Sequence, residues 1–314
     1  MPTLISTAPI YNEAIAELGR RDERIVTIDA DLMRSVGSES FARQFPERAF
    51  QVGIAEQNMV AFAAGLATCG KIPFAHTFGV FASRRVCDQL AISVAFNRLN
   101  VKILGAQAGL SAALNGATHQ SLEDVAIVRA IANMTIVEPC DVEELRLVVP
   151  AVAAFDGPVY LRLSKVLPER LSDQPCNFKI GVGRVMREGK DVAIIASGVM
   201  IGYALEAAES LASEGISAHV LNLSTIKPLD VDAIVEAAEK TDAVLTVENH
   251  SINGGLGGAV AEVLGERRPT RMIRLGTRDT FGASGELPWL VDHFEIGTSS
   301  IVAAAKRLLN SRDR

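Results

Sequence analysis

The amino-acid sequence predicts an α/β protein built from two doubly wound, mostly parallel-sheet domains. Short runs of β-branched and other apolar residues alternate with longer stretches of helical periodicity along the chain. This alternation is interrupted once, near the middle, by a polar, proline-containing segment. A length of 314 residues with 48% hydrophobic residues also suits two packed domains of about 150 residues each.

The elements follow in order along the first half. The pattern predicts strands at 24–28, 73–76, 101–104, 135–137 and 159–163. It predicts helices at 11–18, 57–69, 80–97, 121–130 and 142–154. Strands joined by helices in this way form a parallel sheet with crossover connections.

The second half repeats the alternation. Strands are expected at 191–196, 217–221, 243–247 and 271–274, with helices at 203–213, 231–239, 258–264 and 300–309. Between the halves, residues 164–179 form the polar stretch SKVLPERLSDQPCNFK, which has no clear period. We therefore predict a first domain at residues 1–166, a linker at 167–182 and a second domain at 183–314.

The charge and the cysteines exclude several classes of protein. With 31 Lys and Arg against 37 Asp and Glu, the net charge of −6 gives no basic surface for nucleic acid or an anionic membrane. The N-terminus has no signal-peptide pattern and no window holds about 18 uninterrupted apolar residues, so we expect a cytoplasmic protein. Cysteines 69, 87, 140 and 176 are scattered, and we expect buried thiols rather than a disulfide framework or a zinc site.

A single carboxylate stands at the start of an apolar helix. The segment GIAEQNM at 53–59 leads into VAFAAGLATCG, and Glu56 is its only charge. One interpretation is that Glu56 caps the helix N-terminus. Ser or Asp would serve that purpose as well, and capping does not account for the aromatic segment that follows.

That aromatic segment is HTFGVF at 76–81. It places Phe78 and Phe81 three residues apart just after a predicted strand, where the ends of parallel strands form ligand crevices. The two rings are suited to lining a flat heteroaromatic pocket. The alternative is that both are ordinary core residues.

A long glycine- and alanine-rich loop follows the next strand. It runs AGLSAALNGATHQSLED from 108 to 124, and His119 lies where the loop meets a helix. Ser121 and Asp124 have the spacing of a capping box in which Asp replaces the usual Glu. Such a histidine can exchange protons near neutral pH, although an ordinary surface histidine is the alternative.

A second glycine-rich run, SINGGLGG at 251–258, follows the predicted strand AVLTVEN. It lacks the G-x-G-x-x-G spacing of dinucleotide-binding loops and the acidic residue that follows them. We interpret its glycines as a requirement of backbone geometry and close packing, not as a phosphate site.

Together, these segments resemble the transketolase family. The stretches FQVGIAEQNMVAFAAGLATCGKIPFAHTFGVFASR and GATHQSLEDVAIVRAIANMTIVEPCD are similar to its pyrimidine-binding domain. The resemblance continues through DGPVYLRLSK, STIKPLD and VENHSINGGLGG, and so covers nearly the whole chain. It implies thiamine diphosphate as the cofactor.

The resemblance also implies a partner. Full-length members begin with a diphosphate-binding domain whose Gly-Asp-Gly…Asn motif holds magnesium and the cofactor's diphosphate, and this chain lacks that motif. We therefore expect the C-terminal subunit of a split transketolase, inactive alone, whose N-terminal partner subunit supplies the Mg²⁺ and diphosphate ligands. Family assembly implies an α₂β₂ heterotetramer acting on sugars, with the second domain serving an interface.

Residue by residue, the resemblance assigns roles. Glu56 matches the glutamate that hydrogen-bonds the N1′ nitrogen of the cofactor's aminopyrimidine and so helps the thiazolium carbon lose its proton. Phe78 and Phe81 match the aromatic wall around that ring. His119 matches a histidine that polarises substrate oxygens and assists proton transfer.

Three further positions match the substrate end. Asp31 and Ser35, in DADLMRS, match the acidic and serine positions near the thiazolium and the substrate tail. Lys165 lies where typical members carry an arginine for the sugar phosphate.

Four positions depart from the family pattern. Arg84 replaces a pocket tyrosine and is expected to contact the cofactor. Asn115 replaces an aspartate that contacts substrate hydroxyls, Gln107 replaces a second substrate histidine, and Ala8 replaces a phosphate-binding arginine. We therefore expect ketol transfer on a substrate with an altered tail. Three cations are candidates to bind that tail: Arg34, Lys165 and Arg84.

Three other interpretations stay open at this point. The β subunit of a 2-oxoacid dehydrogenase shares the EQ helix and the split organisation, but that family generally lacks the THQ loop. A deoxyxylulose-phosphate-synthase-like enzyme is disfavoured because this chain has RLSK where that family tends to have RYPRG. A non-catalytic scaffold would have no need to keep Glu56, Phe78, Phe81 and His119 together.

Overall fold

Two open β-sheets flanked by helices form the chain in the computed structural model, which describes residues 3–310. The strands are β1 Leu4–Ser6, β2 Ile25–Asp29, β3 Ala49–Gln51, β4 Ile72–Phe78, β5 Lys102–Ala106, β6 Thr135–Val137, β7 Val159–Leu163, β8 Val166–Pro168, β9 Arg184–Arg187, β10 Val192–Ala196, β11 Ala218–Asn222, β12 Thr225–Lys227, β13 Ala243–Ser251 and β14 Arg271–Thr277. The α-helices are α1 Thr7–Arg21, α2 Met33–Val36, α3 Glu39–Gln44, α4 Glu56–Thr68, α5 Asp124–Ala130, α6 Val142–Ala154, α7 Met200–Ser213, α8 Val231–Thr241, α9 Leu256–Arg267, α10 Leu287–His293 and α11 Thr298–Asn310. Short 3₁₀ helices at Pro46–Arg48 and Leu110–Asn115 and a π-helix at Gln89–Ala95 complete the regular structure.

The first sheet has seven strands in the order β12-β6-β7-β5-β4-β2-β3. All its pairings are parallel except that of β12, which comes from the second half of the chain and runs antiparallel to β6. The second sheet has the order β14-β13-β10-β11-β9, with only β9 antiparallel. The predicted α/β class with two mostly parallel sheets is confirmed, and the sharing of β12 between the halves was not predicted.

The strand order fixes where a ligand crevice opens. From β2 the chain moves outward to β3 and then returns to the other side of β2 as β4, so the winding reverses between β2 and β4. Crevices in open α/β sheets form at such reversals, at the carboxyl ends of the strands. The carboxyl ends of β2, β4 and β5 meet there, because Asp29 pairs with His76 and Phe78 pairs with Ala106.

Alternating strand residues build a core on each face of the first sheet. Phe74 and Leu104 pack with α1 and α6, whereas Ala75 and Ile103 pack with α4 and the π-helix. The first of these layers continues into the second sheet through Ile194. Both faces of the strands are thus buried, as expected for parallel sheets.

One predicted helix, residues 80–97, is not regular. Residues 79–86 form successive turns with helix-like hydrogen bonds, such as Ala82 N to Phe78 O at 2.8 Å, and a π-helix follows at Gln89–Ala95. The Ser83 hydroxyl donates to the Gly79 carbonyl oxygen at 2.7 Å and so competes for the backbone of this segment. The prediction of an apolar helical segment is correct, but the segment is not a regular α-helix.

The predicted capping box at Ser121 and Asp124 is wrong. Helix α5 begins at Asp124 itself, and Ser121 forms an isolated bridge with Gly109, whose N–H donates to the Ser121 hydroxyl at 3.0 Å. The Asp124 carboxylate accepts from Tyr160 and Arg162 at 2.8 and 2.9 Å. The spacing of a cap is present, but stronger tertiary partners hold both side chains.

The glycine-rich run at 251–258 has a packing role. The Glu248 carboxylate accepts from the N–H groups of Leu256 and Gly257 at 2.7 and 3.0 Å, and so fills the N-terminus of α9 from within the chain. A Cβ on Gly255 would lie 2.0 Å from a Glu248 carboxylate oxygen. This close approach accounts for a glycine at that position.

The expected burial of the cysteines is wrong for half of them. Cys140 is buried and Cys176 is intermediate, whereas Cys69 and Cys87 are exposed. Both exposed thiols lie at helix ends on the surface, where the sequence pattern is apolar but the neighbouring elements leave the side chains uncovered. Within residues 3–310, no helix is both long and apolar enough to cross a bilayer.

Candidate active site

Glu56 is the first residue of α4 and only 5% exposed. Its Oε1 accepts a hydrogen bond from Nη1 of Arg85 at 2.8 Å, and no hydrogen bond from the α4 backbone to its side chain occurs within the described residues. The carboxylate is therefore not used as a helix cap. Its other oxygen, Oε2, has no hydrogen-bond partner among residues 3–310.

Three aromatic side chains cluster beside this pair. Phe78 ends β4, Phe81 follows three residues later, and their ring centroids lie 6.2 Å apart with an interplanar angle of 29°. The His119 ring meets Phe81 edge-on at 5.5 Å and Phe78 at 6.2 Å. The sheet thus brings together two segments that are about forty residues apart in the sequence.

A cavity of about 620 Å³ opens at this place. It is lined by Val80, Phe81, Arg84, Arg85, Ala117, Thr118 and Phe281. Arg84 forms an ion pair with Glu123 at 2.8 Å, so its charge is already matched within the chain. Burial raises the pKa of Glu123, and the positive charge of Arg84 only partly opposes this.

The loop after β5 is tightly constrained. Gln107 is 8% exposed and takes a positive φ of 53°, and its side-chain oxygen accepts from the Asn115 amide at 3.0 Å. Ala113 has φ 51° and ψ −117°, a conformation that costs a non-glycine residue about 1–3 kcal/mol. His119 Nδ1 lies 2.9 Å from the Thr118 hydroxyl. Backbone strain of this kind is typical of functional loops.

The predicted tail-binding residues lie on two segments that meet at α1. Asp31 has φ 60° and its N–H donates to Gln51, and Arg34 and Ser35 lie exposed on α2. Lys165 is exposed just before β8, and its carbonyl oxygen accepts from the N–H of Thr7 at 3.1 Å.

The start of α1 connects the two segments. Gly37, directly after α2, packs so closely on α1 that a Cβ there would lie 2.2 Å from the Ala8 carbonyl oxygen. The Thr7 hydroxyl, one residue earlier, donates to the Ser164 carbonyl oxygen at 2.7 Å. Arg34 and Lys165 therefore flank the same end of α1.

Two residues of this region were missed by the sequence analysis. Arg85 pairs with Glu56 where Arg84 was expected to contact the cofactor, and Phe281 reaches the cavity from the second half of the chain. A phenylalanine that is 79% exposed is a signal of a binding surface, but only once exposure is known. Nothing in the sequence spacing connects it to Phe81.

The residues fit the pyrimidine end of thiamine diphosphate. A buried carboxylate with one unpaired oxygen, beside stacked phenyl rings, suits a flat ring that presents a nitrogen to hydrogen-bond. Within residues 3–310, no three His, Cys, Asp or Glu side chains come together as a possible metal site.

Family models match most of the chain. The transketolase pyrimidine-binding domain matches residues 4–169 and the transketolase C-terminal domain matches residues 181–301. The chain belongs to the transketolase family.

Relatives of similar length show how this transketolase chain is organised. It is 48% identical, over 96% of its length and 94% of the relative, to the 6-deoxy-6-sulfo-D-fructose transketolase subunit SqwH of Clostridium sp. (strain MSTE9). A solved structure described as a split gene transketolase, inactive beta4 tetramer, is 42% identical with a TM-score of 0.89, and the match covers 98% of both chains. The chain is thus the C-terminal subunit of a split transketolase.

The synthase alternative has weaker support. The 1-deoxy-D-xylulose-5-phosphate synthase 1 of Geobacter sulfurreducens is 37% identical over 99% of this chain, but the match spans only 49% of that protein. The transketolase subunit is more similar and matches end to end.

Proposed function

We propose that this subunit binds the aminopyrimidine ring of thiamine diphosphate and catalyses ketol transfer together with a diphosphate-binding partner subunit. The observation that supports the proposal most is Glu56, a buried carboxylate with one free oxygen beside Phe78 and Phe81. The bound cofactor supplies the nucleophilic carbon that takes up the two-carbon unit. The domains at 1–166 and 183–314 would serve as the pyrimidine-binding domain and the C-terminal domain, and the partner would hold Mg²⁺ and the diphosphate.

His119 is suited to the proton transfers of the reaction. Its ring lies against Phe81 and its Nδ1 is 2.9 Å from the Thr118 hydroxyl, which leaves Nε2 for a substrate oxygen. Gln107 and Asn115, held to each other, offer neutral amide groups to substrate hydroxyls. In this proposal, these three side chains contact the part of the sugar that lies nearest to the cofactor.

The substrate tail is proposed to be an anion other than the usual phosphate. Arg34 and Lys165 are exposed, flank the start of α1, and have no side-chain partner within the described residues, whereas Arg84 is paired with Glu123. Arg34 and Lys165 are therefore the favoured tail cations. The sulfonated substrate in the name of the 48% identical relative makes a sulfonated ketose the first compound to test.

An α₂β₂ heterotetramer is proposed, with two copies of this chain in contact through α4. After its polar first turn, helix α4 is apolar up to Thr68, yet it exposes Phe62 and Gly65. The neighbouring π-helix exposes Ile92, and Phe96 directly after it is also exposed, at 59% and 77%. A second copy of the chain is the proposed occupant, since a 42% identical relative forms a tetramer of its own chain. Ile92→Asp should reduce the mass of the complex in light scattering, and Leu147→Asp, at another exposed apolar site on α6, should not.

The catalytic proposal is tested in the reconstituted complex. The chain is co-expressed with its diphosphate-binding subunit, supplied with thiamine diphosphate and Mg²⁺, and assayed for two-carbon transfer. Activity is expected only in the mixture, and Glu56→Ala should lose at least about a hundredfold of it with assembly intact. Glu143→Ala, at another first-turn glutamate on α6, is the control. Full activity of Glu56→Ala would refute the role of Glu56.

The tail proposal needs a separate comparison. Steady-state constants are measured for ketoses with a sulfonate, a phosphate or an unmodified tail, in wild type, Arg34→Met and Lys165→Met. Both variants should raise KM for the anionic ketose about tenfold and leave KM for the neutral ketose unchanged. If xylulose 5-phosphate and ribose 5-phosphate were the best substrate pair, the altered-tail proposal would fail.

A further inference from the structure

Glu56 has a fixed partner to which the family pattern assigns no role. Arg85 donates from Nη1 to Glu56 Oε1 at 2.8 Å. The Glu56 side chain is 5% exposed and the Arg85 side chain 49% exposed, so the guanidinium reaches from solvent to a buried carboxylate. An ion pair at such a boundary is screened less than one on the open surface.

The guanidinium of Arg85 is held at a second point. Its central carbon lies 3.9 Å from the centroid of the Phe81 ring, within the range of a cation–π contact. Phe81 itself belongs to the aromatic group with Phe78 and His119. Because Arg85 is held both by Phe81 and by Glu56, it links the ring wall to the carboxylate.

The neighbouring arginine does not compete for this position. Arg84 points to Glu123, with Nε to Oε1 at 2.8 Å. Each of the two adjacent arginines thus has its own carboxylate within the described residues.

We propose that Arg85 is a positioning residue for Glu56: it holds Oε1 so that Oε2 is kept free and correctly oriented for the cofactor's ring nitrogen. The inference rests on the proposed function of Glu56. Arg85 itself touches neither substrate nor the reacting carbon in this scheme.

The test uses the complex of this chain with its partner subunit. Arg85→Met removes the charge and the donor, together with the guanidinium contact to Phe81, and keeps an unbranched apolar side chain that ends near the position of Nε. Arg85→Lys keeps a charge and a donor. Arg146→Met is the matched control, because Arg146 is 50% exposed and also pairs with a glutamate, Glu13, at 3.2 Å.

Two measurements are made on each complex. Titration calorimetry gives the Kd for thiamine diphosphate, and steady-state kinetics at saturating cofactor give kcat and KM for the ketose. Arg85→Met should lower kcat about tenfold, raise the cofactor Kd about threefold and leave KM for the ketose unchanged. The reason is that the substitution removes the charge-assisted hydrogen bond that holds Glu56 toward the cofactor and removes no contact to the sugar. Arg85→Lys should recover most of both losses.

A double-mutant cycle separates positioning from general damage. If Arg85 acts through Glu56, adding Arg85→Met to Glu56→Gln should cause little further loss of kcat. Independent, multiplicative losses would overturn the inference, and so would an Arg85→Met complex whose kcat and cofactor Kd match those of Arg146→Met. Failure of the proposed function is distinguishable, since the wild-type complex itself would then show no cofactor-dependent ketol transfer.

Discussion

Arg162 is the residue whose loss should damage the fold most. Its side chain is 1% exposed, and its guanidinium donates to Asp124, to Glu138 and, at 2.9 Å, to the Asn249 carbonyl oxygen. Asp124 and Glu138 belong to the first half of the chain and Asn249 to the second. One buried cation therefore pairs with two buried carboxylates and ties the two halves together.

The substitution Arg162→Met removes the cation but keeps an apolar side chain of similar length. Burial alone raises the pKa of Asp124, but the charge and the hydrogen bond of Arg162, together with its other partners, hold the pKa below its ordinary value. Without Arg162, the two carboxylates stay buried and lose their cationic partner. They keep neutral donors, the Tyr160 hydroxyl for Asp124 and the Ser197 hydroxyl for Glu138. Breaking a buried ion pair in this way costs about 3–5 kcal/mol, which corresponds to a Tm lower by roughly 6–20 °C.

The assay is calorimetry of the full chain at two pH values. At pH 8 Arg162→Met should show the full loss, and at pH 5 a smaller one, because the stranded carboxylates can take up protons there. Arg146→Met, which breaks an exposed pair, should cost at most about 1 kcal/mol. For a protein of this size, 1 kcal/mol corresponds to roughly 2–4 °C in Tm. A Tm for Arg162→Met within about 2 °C of that of Arg146→Met would therefore refute the reasoning.

Two further predictions concern His250 and Gly109. Burial lowers the pKa of His250 from 6.5 to about 4, so the stability that its neutral form contributes is present above pH 6.5 and is lost as pH falls toward 4. The Tm of wild type should therefore fall more between pH 7 and pH 4.5 than that of His250→Gln. Because Glu248 titrates in both proteins, its effect cancels in this comparison, and equal falls would contradict the lowered pKa of His250. Gly109 has φ 60° and ψ −143°, outside the left-handed helical region, and a Cβ there would lie 2.3 Å from the Asn249 carbonyl oxygen. Gly109→Ala should therefore cost clearly more than the roughly 1–2 kcal/mol of an alanine in the left-handed helical region. Gly215→Ala, with φ 81° and open space around its Cβ, measures the cost of a positive φ without a clash in the same denaturation assay.

Much of the candidate site followed from the sequence because parallel strands end at a common edge. Phe78 was placed just after a predicted strand, and His119 at the end of the loop that follows the next strand. These strands, β4 and β5, are neighbours, with Phe78 opposite Ala106. Both segments were therefore expected at the carboxyl edge of the sheet, where the structure brings them together. That expectation needed only strand positions and their direction, which hydrophobic periodicity supplies.

The choice between Arg84 and Arg85 lay beyond the sequence. Arg84 is three residues after Phe81 and Arg85 four, so either can follow the ring in a helical turn. The irregular turns at 79–86 decide that Arg85 lies over Phe81 and that Arg84 turns to Glu123. Strand β12 was not predicted for a related reason. It is only three residues long and forms by pairing with β6, so it has no periodic pattern in the sequence.

The second half of the chain contributes residues and hydrogen bonds to the candidate site. The Gln120 amide, next to His119, donates to the Ala283 carbonyl oxygen at 2.8 Å, and the Ser284 hydroxyl donates to the Leu114 carbonyl oxygen at 3.1 Å. The loop that carries Phe281 to the cavity therefore also holds Leu114, which follows the strained Ala113, and Gln120, which follows His119. Since strained conformations persist only when their surroundings hold them, His119 depends on the docking of the second half for its position. A first half separated from residues 278–285 would retain Glu56 and its ring wall but lose the hydrogen bonds that hold the loop around His119.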